Sequence, residues 1–237
     1  MKLTFLLVVV LAFSMTCQSQ SITKGLILPK DESSFGSCCV YVPISGINVY
    51  NKPNGTSLGK IIQDTTRASN GEFYKVLLNL KGKKEVMKPS NFDVVDYKRM
   101  ALKYEEKNST FVKTHNGYWI KISELDKNGL RIVNQIEYLI DKSQDVLGYY
   151  AISPGLNLRR LPSTKSEVIM TLKGDLLEIK LTEEVKGLWC KVIVTEYSDH
   201  PCTSKGNFDE IKLRTFTGWI KLLSDDQIPN VTYYKGC

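Results

Sequence analysis

The chain is poor in the groups that demanding chemistry needs. Two histidines, His115 and His200, occur in 237 residues, and a nucleophilic cysteine would need one of them to draw off its proton. Cys38 and Cys39 precede a strand pattern and do not open a helix, so catalysis is not expected of them. His200 stands in Asp199-His200-Pro201-Cys202 with Cys190 further up the chain, which is too sparse for the closely spaced ligand pairs of zinc sites. No glycine-rich phosphate loop, His-Glu-x-x-His or Gly-x-Ser-x-Gly pattern is present, so the motif-bearing nucleotide, zincin and α/β-hydrolase classes fall away. Neighbouring carboxylates such as Glu105-Glu106, Glu183-Glu184 and Asp225-Asp226 point to opposite faces when extended and do not converge on a substrate. No catalytic residue, metal or cofactor is expected.

Long apolar runs are also missing. The longest, Leu3 to Phe13, would span about 16 Å as a helix against a hydrocarbon core of about 30 Å. With Lys2 before it and the small residues Ser14, Thr16 and Ser19 after it, the run has the layout of a secretory signal peptide, expected over residues 1–19. Two processing routes fit that layout. One lipidates Cys17 as in bacterial lipoproteins, and the other cleaves after Ser19. Both place the protein outside the cytoplasm, in the periplasm or cell envelope, without a transmembrane helix. Export permits disulfides among the six cysteines. Cys190 alternates with Val192 and Val194 and reads as a buried thiol, whereas a Cys202–Cys237 bridge would tether the end of the chain.

The composition, 42% hydrophobic and 24% charged, is that of a folded protein, and the net charge is +7. The excess is local. Residues 40–127 carry 15 Lys and Arg against 9 Asp and Glu, whereas residues 149–237 carry 12 against 11. Lys81, Lys83, Lys84 and Lys88 concentrate it. They form either a solvated hairpin or a contact for an anionic envelope polymer or lipid head group. A basic recognition helix is absent, and nucleic acid is not an expected partner.

Three blocks recur in order. Gly46-Ile47-Asn48-Val49 with Pro53 matches Gly155-Leu156-Asn157-Leu158 with Pro162; Gly71-Glu72-Phe73-Tyr74-Lys75-Val76 matches Gly187-Leu188-Trp189-Cys190-Lys191-Val192; Tyr118-Trp119-Ile120-Lys121 matches Gly218-Trp219-Ile220-Lys221. Their offsets of 109, 116 and 100 residues differ, as they do when loops vary on a shared framework. Period-two alternation makes each block a strand. Leu102–Glu106, Thr110–Lys113 and Tyr118–Ile120 read as further strands embellishing the first half. Between the halves, Ile132, Val133, Ile136, Leu139 and Ile140 fall on one helical face, which predicts a linker helix within 128–148.

The run Gly155-Leu156-Asn157-Leu158-Arg159, Pro162-Ser163, Val168-Ile169, Gly174-Asp175, Trp189-x-Lys191-Val192 and Gly218-Trp219-Ile220 resembles the bacterial SH3 domain. The likeness covers about residues 149–223. It is looser over 40–127, where Tyr50 stands in place of the usual arginine and Phe73 in place of the tryptophan. The whole arrangement resembles tandem SH3-domain envelope proteins of Bacteroidetes. The resemblance implies an all-β fold of two small SH3-like barrels: module 1 over 40–127 after an N-terminal segment 20–39, module 2 over 149–226, and a tail over 227–237. It also implies a non-enzymatic, exported binding module that takes a peptide, a peptidoglycan fragment or an envelope protein, the alternative being a structural subunit of an envelope complex. Trp189, Trp219, Tyr149, Tyr150 and Arg159, with Phe73 and Trp119, are the candidate ligand-binding residues. Such rings either fill a small core or line a groove, where flat rings contact a ligand over a large area.

Overall fold

The computed structural model describes residues 21–35, 39–64, 75–96, 99–204 and 208–233. The expected export segment, Cys17, Cys38, Phe73 and Cys237 lie outside them.

The described chain is mostly β, in two sheets. The first holds β1 (Gly25–Pro29), β2 (Cys39–Val40), β3 (Ile47–Tyr50), β4 (Ser57–Gln63), β5 (Val76–Leu80), β6 (Lys83–Val86), β7 (Phe92–Asp96), β8 (Arg99–Lys107), β9 (Phe111–Thr114), β10 (Trp119–Lys121) and β11 (Leu130–Asn134). The second holds β12 (Tyr149–Ala151), β13 (Leu156–Arg159), β14 (Val168–Leu172), β15 (Leu177–Lys186), β16 (Trp189–Tyr197), β17 (Lys212–Lys221) and β18 (Val231–Tyr233). Neighbours run antiparallel except β2, which lies parallel to β8. Three short α-helices, α1 (Ile122–Lys127), α2 (Gln135–Lys142) and α3 (Phe208–Ile211), and two 3-10 turns, Glu32–Phe35 and Pro89–Asn91, complete the described structure.

The two sheets share one topology. Across the second sheet the order is β14-β13-β17-β16-β15-β12-β18. Across the first, β4-β3-β10-β9-β8-β1-β11 runs in the same sequence of chain positions, with β5 and β6 continuing beyond β4 and with β2 and β7 both pairing β8. Local detail repeats as well. A register shift falls between Val49 and Tyr50 in the β3–β4 pair, and another between Leu158 and Arg159 in β13–β14. Gly46 and Gly155 precede these strands at φ +76° and +126°. A Cβ there would come within 2.9 Å of the Ile61 carbonyl oxygen and 2.8 Å of the Leu172 carbonyl oxygen respectively, so both positions require glycine for conformation and for space.

This topology revises the expected equivalences. The first and third sequence blocks coincide with β3/β13 and β10/β17. The counterpart of β16 is β9, because β9 pairs β10 as β16 pairs β17; Phe111-Val112-Lys113 therefore matches Trp189-Cys190-Lys191. Val76, which ends the second sequence block, lies in β5, and β5 pairs β4 and not β10, so this strand is not the counterpart of β16. The stretch 64–98 supplies the β5–β6 hairpin, whose two-residue turn Lys81-Gly82 has both φ angles positive, +50° and +89°. Lys81, Lys83 and Lys84 of the basic cluster are thus borne on a hairpin, and Lys88 follows it.

The expected linker helix is half strand. Leu130–Asn134 pairs with β1 from Gly25↔Asn134 to Pro29↔Leu130. The helix begins only at Gln135, where the Asn134 side chain accepts hydrogen bonds from Ile136 N (3.1 Å) and Glu137 N (3.0 Å). The helical spacing of apolar residues overlapped a strand pattern, and the open edge of β1 took the strand. The module boundaries move accordingly. The first sheet reaches from Gly25 to Asn134, drawing on the segment before residue 40 and on the linker, and the last strand of the second sheet lies within the expected tail.

One continuous hydrophobic core runs through both sheets. Its inward positions alternate cleanly: Cys190, Val192 and Val194 are fully buried along β16, as are Val112 and Ile120 in the first sheet. Helix α2 ties the halves together. Its Leu139 carbonyl oxygen accepts from the Tyr149 hydroxyl at 2.6 Å, and the Tyr138 and Tyr233 hydroxyls meet at 3.1 Å. The Gln227 side-chain oxygen accepts from Thr23 N and Lys24 N at 2.8 and 3.1 Å, fixing the chain entering β1 to the end of the second sheet.

Candidate binding face

Register partners in an antiparallel sheet carry their side chains on one face, and residues two apart along a strand share that face. In the first sheet, Tyr50, Trp119 and Lys113 are opposite one another across β3, β10 and β9, and Lys121 lies opposite Phe111. The second sheet repeats the arrangement as Arg159, Trp219 and Lys191, with Lys221 opposite Trp189. The opposite side of the same strands holds Ile120 and Val112, or Ile220 and Cys190, all fully buried. Each sheet therefore carries an aromatic and cationic face behind its core.

The two faces are closed differently. In the first, the Tyr50 ring meets Phe111 edge-on at 5.7 Å, and Lys121 Nζ sits 5.9 and 6.0 Å from the two ring centroids. Phe111 is consequently 1% exposed, while Trp119 stays half-buried with Lys113 Nζ 5.8 Å from its ring. In the second, Arg159 occupies the tyrosine position and its guanidinium donates to the Ser166 carbonyl oxygen at 2.6 Å. Trp189 is left half-buried, whereas Trp219 is 7% exposed and has Lys186 Nζ 5.5 Å from its ring. Each face thus presents one open indole, at alternate positions. Most of the cations are balanced locally: Lys191 by Glu184 and Lys221 by Asp225 at 2.6 Å, and Lys113 by Glu106 at 3.4 Å.

Of the expected binding residues, the structure gathers Trp189, Trp219 and Arg159 on one face and Trp119 on its counterpart. Tyr149 and Tyr150 are corrected to the interior. Tyr149 is fully buried, its hydroxyl spent on Leu139 and its ring edge-on to Tyr233 at 5.5 Å. Tyr150 is 5% exposed and stacks on His200 at 6.3 Å. Burial raises the Tyr149 hydroxyl pKa well above the ordinary phenol value. Trp219 is also largely withdrawn from solvent, so Trp189 and Trp119 remain the accessible rings. Sequence reading missed Tyr50, Phe111 and the four lysines as members of these faces. The recurring triplets Phe111-Val112-Lys113 and Trp189-Cys190-Lys191 carried the signal, obscured by a loop before the next strand that is short in one half and long in the other.

Other chemistry-bearing groups among the described residues are engaged within the fold. Cys190 is free and buried; its thiol donates to the carbonyl oxygens of Thr182 and Lys191, and burial pushes its pKa up to about 11. It is protonated and inaccessible at neutral pH, the reverse of a nucleophile. Cys202 is disulfide-bonded, and its backbone N donates to His200 Nδ1 at 3.1 Å. Among the described residues no group of three or more His, Cys, Asp or Glu side chains converges. An open cavity of about 400 Å³, lined by both apolar and polar side chains, Leu78, Val86 and Met87 as well as Lys88, His115 and Tyr118, lies between the inserted hairpin and the β9–β10 turn. His115 Nδ1 is 2.5 Å from Glu105 Oε1. Because the insertion has no equivalent among the described residues of the second sheet, this cavity belongs to the first alone. Comparison of the chain with family models, with curated proteins and with solved structures returns no match.

Proposed function

We propose that this chain is a non-enzymatic, exported binding protein built from two SH3-like modules, each engaging a peptide or peptidoglycan fragment through its aromatic and cationic face. One observation carries this reading: the face recurs at equivalent positions of the two sheets. A core needs the inward residues of β9, β10, β16 and β17; it does not need aromatic rings on the outward side. An open indole flanked by lysine amines suits a ligand with an apolar or planar portion beside carboxylates, as in a cell-wall stem peptide. The shared strand order supports the tandem reading, and the SH3-like sequence of the second half supports the envelope setting.

The test is retention on insoluble peptidoglycan, with Trp189→Ala, Trp119→Ala and the double variant compared with the parent chain. Loss of a hot-spot ring costs about 2 kcal/mol or more in affinity, so each single variant should release protein from the pellet while circular dichroism shows it still folded. Retention unaffected by the double variant overturns the reading. The burial of Tyr149, Tyr150 and Trp219 favours a second reading, a structural subunit that packs against an envelope partner without a small ligand. In that case peptidoglycan retention is absent in the parent chain itself.

A further inference from the structure

The hairpin inserted into the first sheet does more than extend it. Together with the β9–β10 turn it walls the cavity of about 400 Å³, a volume within the range of small-molecule sites. The lining brings three kinds of chemistry to one place. Leu78 of β5 and Met87, 7% and 8% exposed, supply an apolar wall that the more exposed Val86 continues. The second kind is positive charge. Lys88 lines the cavity and forms no ion pair among the described residues, whereas the lining carboxylate, Glu85, is paired with Lys83 at 3.0 Å. His115 adds an oriented imidazole: Glu105 Oε1 takes Nδ1 at 2.5 Å, which leaves Nε2 as the ring's remaining polar atom.

The third kind is a buried acceptor. Asn91 lines the cavity at 6% exposure, and its backbone N and its Nδ2 both donate to the Lys88 carbonyl oxygen at 3.0 Å. A carbonyl oxygen only accepts, so this contact turns the amide nitrogen towards Lys88 and fixes the position of Oδ1. Among the described residues Oδ1 receives no hydrogen bond. A buried polar atom in this state calls for a donor.

We propose that this cavity is a second ligand site, separate from the aromatic faces, and that it takes the carboxyl end of a peptide whose last side chain is apolar. The carboxylate meets the Lys88 ammonium and His115, the last amide N–H donates to Asn91 Oδ1, and the side chain lies against Leu78, Val86 and Met87. Each part excludes a simpler ligand. An inorganic anion leaves the apolar wall wet, a fatty acid offers no N–H to Asn91, and a peptide amide or an internal segment brings no charge to Lys88.

Titration of the full chain with four small probes, followed by amide NMR shifts, tests this. N-acetylleucine carries all three features, and N-acetylleucinamide, N-acetylglycine and 4-methylpentanoate each lack one: the charge, the side chain or the amide. N-acetylleucine should shift the amides of the inserted hairpin and of the β9–β10 turn, and each of the other three should bind about tenfold more weakly or worse. Lys88→Glu, at an exposed position, should weaken N-acetylleucine about tenfold while circular dichroism shows the variant folded, and should leave N-acetylleucinamide nearly unaffected. The proposal is overturned if N-acetylleucine does not bind at millimolar concentration, if its shifts fall only on the aromatic faces, if any of the other three probes binds as tightly, or if Lys88→Glu binds like the parent.

Discussion

The first and second sheets are two treatments of one plan. Seven strands follow the same order in each, yet Phe111 is sealed beneath Tyr50 in one while Trp189 is left half-open beside Arg159 in the other. The exchange of a ring for a guanidinium at one strand end goes with the difference in exposure between Phe111 and Trp189. A tyrosine covers its aromatic neighbour edge-on, whereas the arginine turns away to satisfy a carbonyl in its own hairpin. The first sheet also carries an inserted hairpin that caps β4, whereas among the described residues no strand pairs with the outer side of β14. Equivalent topology therefore does not mean equivalent surface, and the surface is where these halves diverge.

The comparison breaks most visibly at the tryptophans. Trp219→Ala should cost about 3 to 5 kcal/mol, as for a large core side chain, because the ring is 7% exposed. Trp119→Ala, at the equivalent but half-buried position, should cost about 1 to 2 kcal/mol. Urea denaturation measures both, and equal losses would show that the two faces are closed alike. Next in size is Tyr149→Phe, which leaves the Leu139 carbonyl oxygen without its side-chain donor; a loss of about 1 to 3 kcal/mol is expected.

A reciprocal exchange sharpens the equivalence of β9 and β16. Val112→Cys and Cys190→Val swap buried residues at matched positions, and each should cost less than about 1.5 kcal/mol. The introduced thiol and the native Cys190 should both resist a disulfide reagent at pH 8 until the protein unfolds. The pH dependence has a definite sign. The folded-state pKa of Cys190, about 11, lies above the ordinary thiol value of 9.0, so the unfolded thiol ionises first. Stability contributed by the protonated thiol is complete below about pH 9 and is lost as pH rises through 11. Cys190→Val should remove that part of the alkaline decline, measured as a shallower fall in stability than the parent's. Smallest of all, Lys81→Glu and Lys83→Glu on the exposed first-sheet hairpin should leave the melting temperature unchanged, while weakening any binding to an anionic polymer more at low salt than at high. Among the described residues the second sheet has no hairpin beyond β14 to vary.

Much of the β framework was legible in the sequence. The Gly-Ile-Asn-Val and Gly-Leu-Asn-Leu blocks and the two Trp-Ile-Lys blocks marked β3, β13, β10 and β17, because alternation and positive-φ glycines are local signals. The middle block was misplaced. Gly71–Val76 matches the Trp189 strand better in letters than Phe111-Val112-Lys113 does, but likeness of letters says nothing about which strand lies beside β10. The linker misled for a related reason: Leu130–Ile140 satisfies helical spacing, and only the available edge of β1 shows that its first five residues extend. Of the candidate residues, pattern places Trp189, Trp119 and Arg159 on the outward faces, whereas nothing local reveals that Leu139 of α2 holds Tyr149 inside or that His200 stacks on Tyr150.

What the sequence determined alone is what short range decides: two rounds of alternating strands, the turns between them, the buried thiol and the position of the basic hairpin. Propensity, alternation and backbone conformation act over a few residues and are written in those residues. Tertiary structure decided which strands are neighbours, which ring is covered and which strand the inserted hairpin caps. Those outcomes depend on pairing between segments tens of residues apart, where one inserted hairpin or one tyrosine in place of an arginine goes with a change in what water can reach.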